Sequence, residues 1–273
     1  MKNPRQFDFK ENAAWRMFRI MSEFTEGFEF IATLKKAVTI FGSAVLPEGN
    51  RWYQEAEKLG SLLASHDFDV ITGGGPGIME AANRGAVKFP GGDSVGLNIK
   101  LPKEQRTNPY VERSMAFHYF FTRKVCMSFS AHAYVYFPGG FGTLDELFEI
   151  VTLVQTDKIP PVPIILVGKD FWQPLMRFIE ETLLMQYETI DARDRKLITL
   201  VNTAEEAFKI IDHVVDEDLY MLHESGGSVQ NKKSNIKNKK SRKKTKKRLQ
   251  KPKPKKKVKS SRKVKKAIKK KKR

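Results

Sequence analysis

Two glycine-rich segments have the composition of loops that bind phosphate. The first, Gly73–Met79, has the sequence GGGPGIM, and the second, Pro138–Glu146, has the sequence PGGFGTLDE. Glycine lets the backbone approach a ligand closely, and a helix that begins after such a loop offers unpaired N–H groups and the positive end of its dipole. We therefore expect both segments to bind an anion. The first has neither the dinucleotide-fingerprint spacing nor the P-loop spacing, and a tight strand–helix turn without a ligand is the alternative.

The second glycine segment also carries groups that can act on a ligand. Thr143 is expected to cap the following helix or to bind a phosphate oxygen, and Asp145 and Glu146 are expected in the first helical turn. Carboxylates there often only complement the helix dipole, but beside two anion-binding loops they favour chemistry or hydroxyl binding. Because the dipole favours the anion, we expect Glu146 to stay ionised and to stabilise charge rather than act as a general acid.

Arg123 and Lys124 supply the opposite charge. We place them two-thirds of the way along a helix predicted over residues 113–131, which is rich in aromatic side chains. An arginine that points into a ligand crevice binds a phosphate or a leaving group in bidentate fashion, whereas a surface pair with packed stems is the alternative. The neighbouring Cys126 is expected to be a buried, unreactive thiol.

Short apolar runs alternate with amphipathic ones along the part of the chain that carries these residues. Strands are predicted at 37–41, 69–72, 94–99, 133–137 and 163–167. Helices are predicted at 50–65, 78–88, 113–131, from about 144, at 171–185 and at 203–217, after a helical leader at 1–34. The alternation predicts an α/β fold over residues 35–220: a doubly wound, mostly parallel, Rossmann-like sheet with helices on both faces. Ligands of such sheets bind beyond the carboxyl ends of the strands, where both glycine segments begin.

The net charge of +19 is divided unevenly along the chain. Residues 231–273 hold 26 Lys or Arg and no acidic residue, which leaves residues 1–230 with 24 basic and 31 acidic side chains. No apolar run is long enough for a transmembrane helix, and the N-terminus lacks the features of a secretory signal. The one cysteine, Cys126, excludes an internal disulfide and a multi-thiolate metal site. We expect a cytoplasmic protein that needs no metal.

Gly73–Met79, the Arg123–Lys124 pair and Pro138–Glu146 together resemble the Lonely Guy family, the cytokinin riboside 5′-monophosphate phosphoribohydrolases long labelled as lysine decarboxylases. The resemblance covers roughly residues 35–215. It implies hydrolysis of the N-glycosidic bond of a nucleoside 5′-monophosphate, of the AMP or cytokinin riboside monophosphate type, to free base and ribose 5-phosphate. It also implies that no cofactor is needed and that the protein is a homodimer with active sites near the subunit interface.

The resemblance further implies that Arg123 and Glu146 form the catalytic pair. We assign Arg123 to phosphate or leaving-group stabilisation, because a guanidinium does not readily give up a proton. The residues expected to contact substrate are Ser43, Gly73, Gly74, Gly75, Gly77, Met79, Glu104, Lys124, Gly139, Gly140, Gly142, Thr143, Asp145 and Thr152. A non-catalytic Rossmann protein that binds nucleotide or nucleic acid, as in the molybdenum-cofactor carriers of similar fold, is the alternative. An inert binder has no need to keep both Arg123 and Glu146.

The lysine-rich segment 231–273 holds too few apolar residues to form a core, and we expect it to be disordered on its own. Lysine tracts bind polyanions through counterion release rather than base recognition. We therefore expect nonspecific DNA or RNA as its partner, with an association with the nucleoid as one consequence. An anionic membrane, an acidic protein and a solubilising tail without a partner are the alternatives.

A fragment ending at Gln230 tests whether catalysis and nucleic-acid binding belong to different parts of the chain. We expect it to retain the catalytic activity of the full chain and to lose salt-sensitive binding to duplex DNA or RNA. For the full chain, contacts to six or more phosphates would weaken binding on the order of a thousandfold between 50 and 200 mM salt. Equal nucleic-acid affinity of the two proteins in a titration would contradict the assignment.

Overall fold

The predicted α/β fold is confirmed by a computed structural model, which describes residues 13–100 and 107–214. The strands are β1 Lys36–Phe41, β2 Phe68–Thr72, β3 Ser94–Ile99, β4 Arg113–Phe117, β5 Ala133–Tyr136, β6 Ile164–Val167 and β7 Ile198–Val201. The α-helices are α1 Ala13–Ala32, α2 Arg51–Ala64, α3 Ile78–Ala86, α4 Phe120–Ser128, α5 Phe141–Gln155, α6 Lys169–Arg177 and α7 Ala204–Val214. A π-helix, Phe178–Gln186, continues α6, and a short 3₁₀ turn, Asp194–Leu197, precedes β7.

The seven strands form one sheet in the order β4-β3-β2-β1-β5-β6-β7, and every neighbouring pair is parallel. From β1 the chain first builds the sheet towards β4 and then returns to add β5 on the other side of β1. The direction of winding therefore reverses between β1 and β5, where Phe41 is in register with Tyr136. Such a switch point opens a crevice at the carboxyl ends of the strands.

Strand β1 is buried on both sides of the sheet. Val38 and Ile40 belong to one apolar layer, whereas Ala37 and Phe41 belong to the other. Strands that are covered by helices on both faces have nearly continuous apolar sequences. The central strands could therefore be predicted from the sequence.

The helix predicted over residues 113–131 is wrong in its first part. Residues Arg113–Phe117 form the edge strand β4, and the helix α4 begins only at Phe120. Arg123 and Lys124 therefore lie near the middle of a nine-residue helix rather than two-thirds along a long one. The segment lacks a glycine or proline that would have marked the break. The strand has the alternating burial of a sheet edge: Met115 and Phe117 face inward, whereas Ser114 and Ala116 are exposed.

Other boundaries also differ from the sequence prediction. Helix α5 begins at Phe141 instead of about residue 144, and strand β7 was not predicted. In α1, several large apolar side chains, among them Trp15, Phe18, Met21 and Phe28, are exposed. Glu104, residues 1–12 of the leader and the segment 221–273 lie outside the described residues. Among the helices of the described ranges, none has the length and apolarity to cross a membrane.

Gly77 brings the first glycine segment against the loop that follows β1. It precedes α3 with a φ of 70°, and a Cβ on it would lie 2.3 Å from the carbonyl oxygen of Ser43. That oxygen accepts a hydrogen bond of 3.0 Å from the N–H of Ile78. The close approach of the two loops therefore leaves no room for a side chain.

We expect Gly77→Ala to lower the free energy of unfolding by about 2 kcal/mol or more, because it combines a left-handed φ with a steric clash. Gly49→Ala is the matched control, since a Cβ there meets nothing within 4 Å. Urea unfolding of both variants measures the difference. A Gly77→Ala variant as stable as Gly49→Ala would show that the two loops separate at little cost.

Candidate active site

The loops after β1 and β5 are joined at the switch point. The N–H of Ser43 donates to the carbonyl oxygen of Pro138 at 3.0 Å, and the N–H of Phe137 donates to that of Phe41 at 2.9 Å. A Cβ on Gly139 would lie 2.1 Å from Thr143 Oγ1 and 3.1 Å from the backbone nitrogen of Ser43. The two loops thus form one surface at the start of α5, where a helix characteristically leaves its first N–H groups without an intrahelical partner.

A buried polar network holds the triple-glycine loop. Thr72 Oγ1 accepts from the N–H of Gly74 at 2.9 Å and donates to Asn83 Oδ1 at 2.7 Å. Asn108 donates through its backbone N–H to the carbonyl oxygen of Gly74 at 2.9 Å and through Nδ2 to that of Gly75 at 3.0 Å. The same Nδ2 donates to Asn83 Oδ1 at 3.0 Å. This network was not predicted from the sequence, where its one visible signal was Asn83 on the otherwise apolar face of a predicted helix.

The network restricts which glycines are free to bind a ligand. Because the Gly74 N–H is used by Thr72, it is not available to an anion. Glycine is instead required at position 74 by the loop conformation. Its φ is 71°, and a Cβ on it would lie 1.9 Å from Asn98 Oδ1.

The guanidinium of Arg123 lies against the triple-glycine loop. Its Nε donates to the carbonyl oxygen of Leu97 at 2.7 Å, and a Cβ on Gly73 would lie 2.6 Å from its Nη2 and 2.9 Å from Met79 Sδ. Burial lowers the pKa of Arg123, and the nearby charge of Glu146 partly opposes this effect. The structure therefore brings Arg123, Gly73 and Met79 together at the carboxyl ends of the strands, as expected.

Lys124 is surrounded by three carboxylates of α5. Its Nζ lies 2.6 Å from Asp145 Oδ2, 3.7 Å from Glu146 Oε2 and 3.0 Å from Glu149 Oε2. Burial acts to lower the pKa of Lys124, but the three acids outweigh it and raise that pKa. Glu149 was missed from the sequence, although its spacing of four from Asp145 places it on the same helix face.

Glu146 is buried, and its raised pKa differs from the expectation of a carboxylate that stays ionised. Burial raises the pKa of Glu146 to about 7, opposed by Lys124 and Arg123 and reinforced by Glu149 and Asp145. Since α5 begins at Phe141, Glu146 and Asp145 lie beyond its first turn, where the dipole no longer dominates. Glu146 is therefore poised between its protonated and ionised forms near neutral pH.

Thr152, another predicted substrate contact, lies near this cluster. Thr152 lines an open groove of about 610 Å³ beside α5, together with Lys124 of α4 and apolar side chains such as Phe141 and Phe148. Burial raises the pKa of the Cys126 thiol to about 11, as expected of an unreactive cysteine. Within residues 13–100 and 107–214, no group of three or more His, Cys, Asp or Glu side chains is arranged to hold a metal ion.

The seven-stranded parallel sheet with helices defines a Rossmann-like α/β protein. A family model described as "Possible lysine decarboxylase" matches residues 79–211. A cytokinin riboside 5′-monophosphate phosphoribohydrolase of Arabidopsis thaliana is 30% identical over 214 residues, which cover 76% of this chain and 92% of that protein. One from rice, Oryza sativa subsp. japonica, is 32% identical over 170 residues, covering 60% and 68%. The chain belongs to the Lonely Guy family, as the sequence motifs predicted.

Solved structures of lower identity show the same fold. The molybdenum cofactor binding protein of the phototrophic bacterium Rippkaea orientalis matches with a TM-score of 0.50 at 21% identity, over 67% of this chain and 98% of that protein. The molybdenum cofactor carrier protein of Chlamydomonas reinhardtii matches with the same TM-score and identity over 66% and 98%. At this identity the similarity concerns the fold alone.

Proposed function

We propose that the protein hydrolyses the N-glycosidic bond of a nucleoside 5′-monophosphate and releases the free base and ribose 5-phosphate. The observation that carries the proposal is the buried carboxyl of Glu146, with a pKa of about 7, beside Arg123 and Lys124. A carboxyl held near neutrality is suited to proton transfer at physiological pH. The relatives in rice and Arabidopsis are named for action on cytokinin riboside 5′-monophosphates, which have this bond.

In this proposal, the 5′-phosphate of the substrate binds in the crevice between the two glycine segments. The first turn of α5 presents N–H groups at the switch point, and the Arg123 guanidinium supplies a full positive charge beside Gly73. Arg123 is fixed by its bond to Leu97, so its orientation is set before substrate arrives. We assign it to the phosphate.

Glu146 then acts on the water that replaces the base. As the bond between C1′ and the base nitrogen breaks, its electron pair leaves with the base, and positive charge develops on the sugar. The ionised Glu146 carboxylate stabilises that charge and takes a proton from the attacking water, whose oxygen forms the new bond to C1′. The base nitrogen gains a proton from solvent. Lys124 lowers the pKa of Glu146, which keeps a usable fraction of the carboxylate ionised near pH 7.

The role of Glu146 predicts a pH dependence. Because the ionised form is the active one, release of adenine from AMP should rise with pH through an apparent pKa of about 7 and level off above it. At pH 5 the rate should be roughly a hundredfold below the plateau, in proportion to the ionised fraction. Chromatography of the released base measures this.

The Glu146→Gln variant should release no measurable base at any pH, with Glu205→Gln, a half-buried acid of α7 that is paired with Lys58, as the matched control. Release at the wild-type rate by a folded Glu146→Gln variant, or a flat profile from pH 5 to 9, would contradict the assignment of Glu146.

The role of Arg123 is tested with Arg123→Ala and two substrates. If the guanidinium holds the phosphate, KM for AMP should rise by about 10- to 100-fold, the loss expected for a hydrogen bond to a charged group. Turnover of adenosine, which lacks the phosphate, should stay at its wild-type level. A fall in kcat for AMP with an unchanged KM would instead assign Arg123 to the departing base.

A further inference from the structure

The start of α4 depends on a residue of α1. Glu23, in the middle of α1, is buried, and its carboxylate accepts three hydrogen bonds. Two come from the backbone N–H groups of His118 and Tyr119, the latter at 3.1 Å, and the third comes from Thr122 Oγ1. All three donors belong to the turn where β4 ends and α4 begins.

Glu23 therefore caps α4 from another helix. Tyr119 occupies the N-cap position of α4, and its own side chain makes no capping hydrogen bond. The missing acceptor is supplied from 96 positions earlier in the sequence. The Glu23 carboxylate satisfies the N–H of the N-cap residue Tyr119 and that of His118 before it, and its charge complements the positive end of the helix dipole.

The packing around Glu23 holds the two helices at close range. Gly27 lies one turn further along α1, and a Cβ on it would lie 2.5 Å from Cys126 Sγ and 3.1 Å from the Phe117 ring. Phe24 contacts Phe121, with ring centroids 6.4 Å apart. The cap is thus built into a tight helix–helix contact rather than resting on one flexible side chain.

The capped turn leads directly into the active site. The N–H of Arg123 donates to the carbonyl oxygen of Tyr119 at 3.3 Å, so that the first turn of α4 closes at Arg123 itself. Lys124 is the next residue. We propose that Glu23 is a positioning residue, which fixes the first turn of α4 and thereby holds Arg123 and Lys124 in place beside Glu146.

The electrostatics of the site provide a readout for this role. Burial raises the pKa of Glu146, and the charges that act on it are those of Lys124, Arg123, Glu149 and Asp145. From the sheet, the Tyr136 hydroxyl donates to the Glu146 backbone carbonyl. Glu23 is not among these groups, so its removal reaches Glu146 through movement of Arg123 and Lys124. Both cations hold the pKa of Glu146 down, and their displacement should raise it.

The test compares Glu23→Gln with Glu29→Gln in the full chain. Gln replaces one acceptor oxygen by an amide donor and removes the charge, whereas Glu29 is an exposed acid of the same helix. Titration of the Glu146 carboxyl by ¹³C NMR, with the signal assigned through Glu146→Gln, should show a pKa higher by about half a unit or more in Glu23→Gln. Glu29→Gln should match the wild type.

Hydrogen exchange and kinetics complete the experiment. Amides of the peptide spanning residues 118–126 should exchange about tenfold faster or more in Glu23→Gln, as expected when a cap is lost. The ascending limb of the AMP pH profile should move to higher pH. A folded Glu23→Gln variant with unchanged Glu146 titration and unchanged exchange would overturn the proposal.

Two further outcomes keep the tests separate. The kinetic part rests on the proposed hydrolase function, but the titration and the exchange do not need turnover. A wild-type protein that releases no base therefore refutes the proposed hydrolase activity, whereas the titration and the hydrogen exchange still test the role of Glu23. If Glu23→Gln does not fold, Thr122→Val removes at nearly constant shape the hydroxyl that lies within hydrogen-bond range of both Glu23 and the Tyr119 carbonyl oxygen. It should give the same changes at smaller size, and their absence would overturn the proposal.

Discussion

The contact between the loops after β1 and β5 is the constraint on which the site depends. The hydrogen bond from Ser43 to Pro138 joins the two strands just where the winding of the sheet reverses. The contact between Gly77 and Ser43 adds the start of α3 to the same surface. Two helix N-termini then share one crevice, and the backbone provides positive potential before any side chain contributes. Glycine is required here because the three chain segments approach within the radius of a methyl group.

Burial determines the chemistry that this crevice supports. Glu146 is taken out of water beside two cations and two other acids, and desolvation outweighs the cations, so that the pKa moves from its ordinary value of 4.5 to about 7. Since the folded pKa is the higher one, the folded state binds the proton more tightly, and stability declines as pH rises from about 4.5 to about 7. The raised pKa of Glu146 thus lowers the free energy of unfolding near neutral pH, and burial of the surrounding apolar layers offsets this loss.

Secondary structure could be predicted from the sequence where the local pattern and the tertiary environment favour the same conformation. Continuous apolar runs marked β1, β2 and β5, and the glycine segments after two of them located the crevice. Prediction failed where the outcome depends on distant partners. The edge strand β4 shares its aromatic residues with the helix that follows, so its pairing with β3 decided its conformation. The ionisation of Glu146 depends on burial created by several elements. The bonds of Asn83 and Glu23 join positions far apart in the chain, and no local spacing reports them.

The long-range bond from Glu23 to α4 also bears on where the working unit of this chain begins. Every motif of the site lies between residues 43 and 152, and a minimal domain drawn around those motifs would start at about residue 35. Such a module would contain all the site groups and lack the acceptor that orders the turn before Arg123. Grafting or recombining this domain at residue 35 would therefore separate two halves of one helix cap. Helices α1 and α4 are in this sense one structural part, although Glu23 and Tyr119 lie 96 positions apart in the sequence.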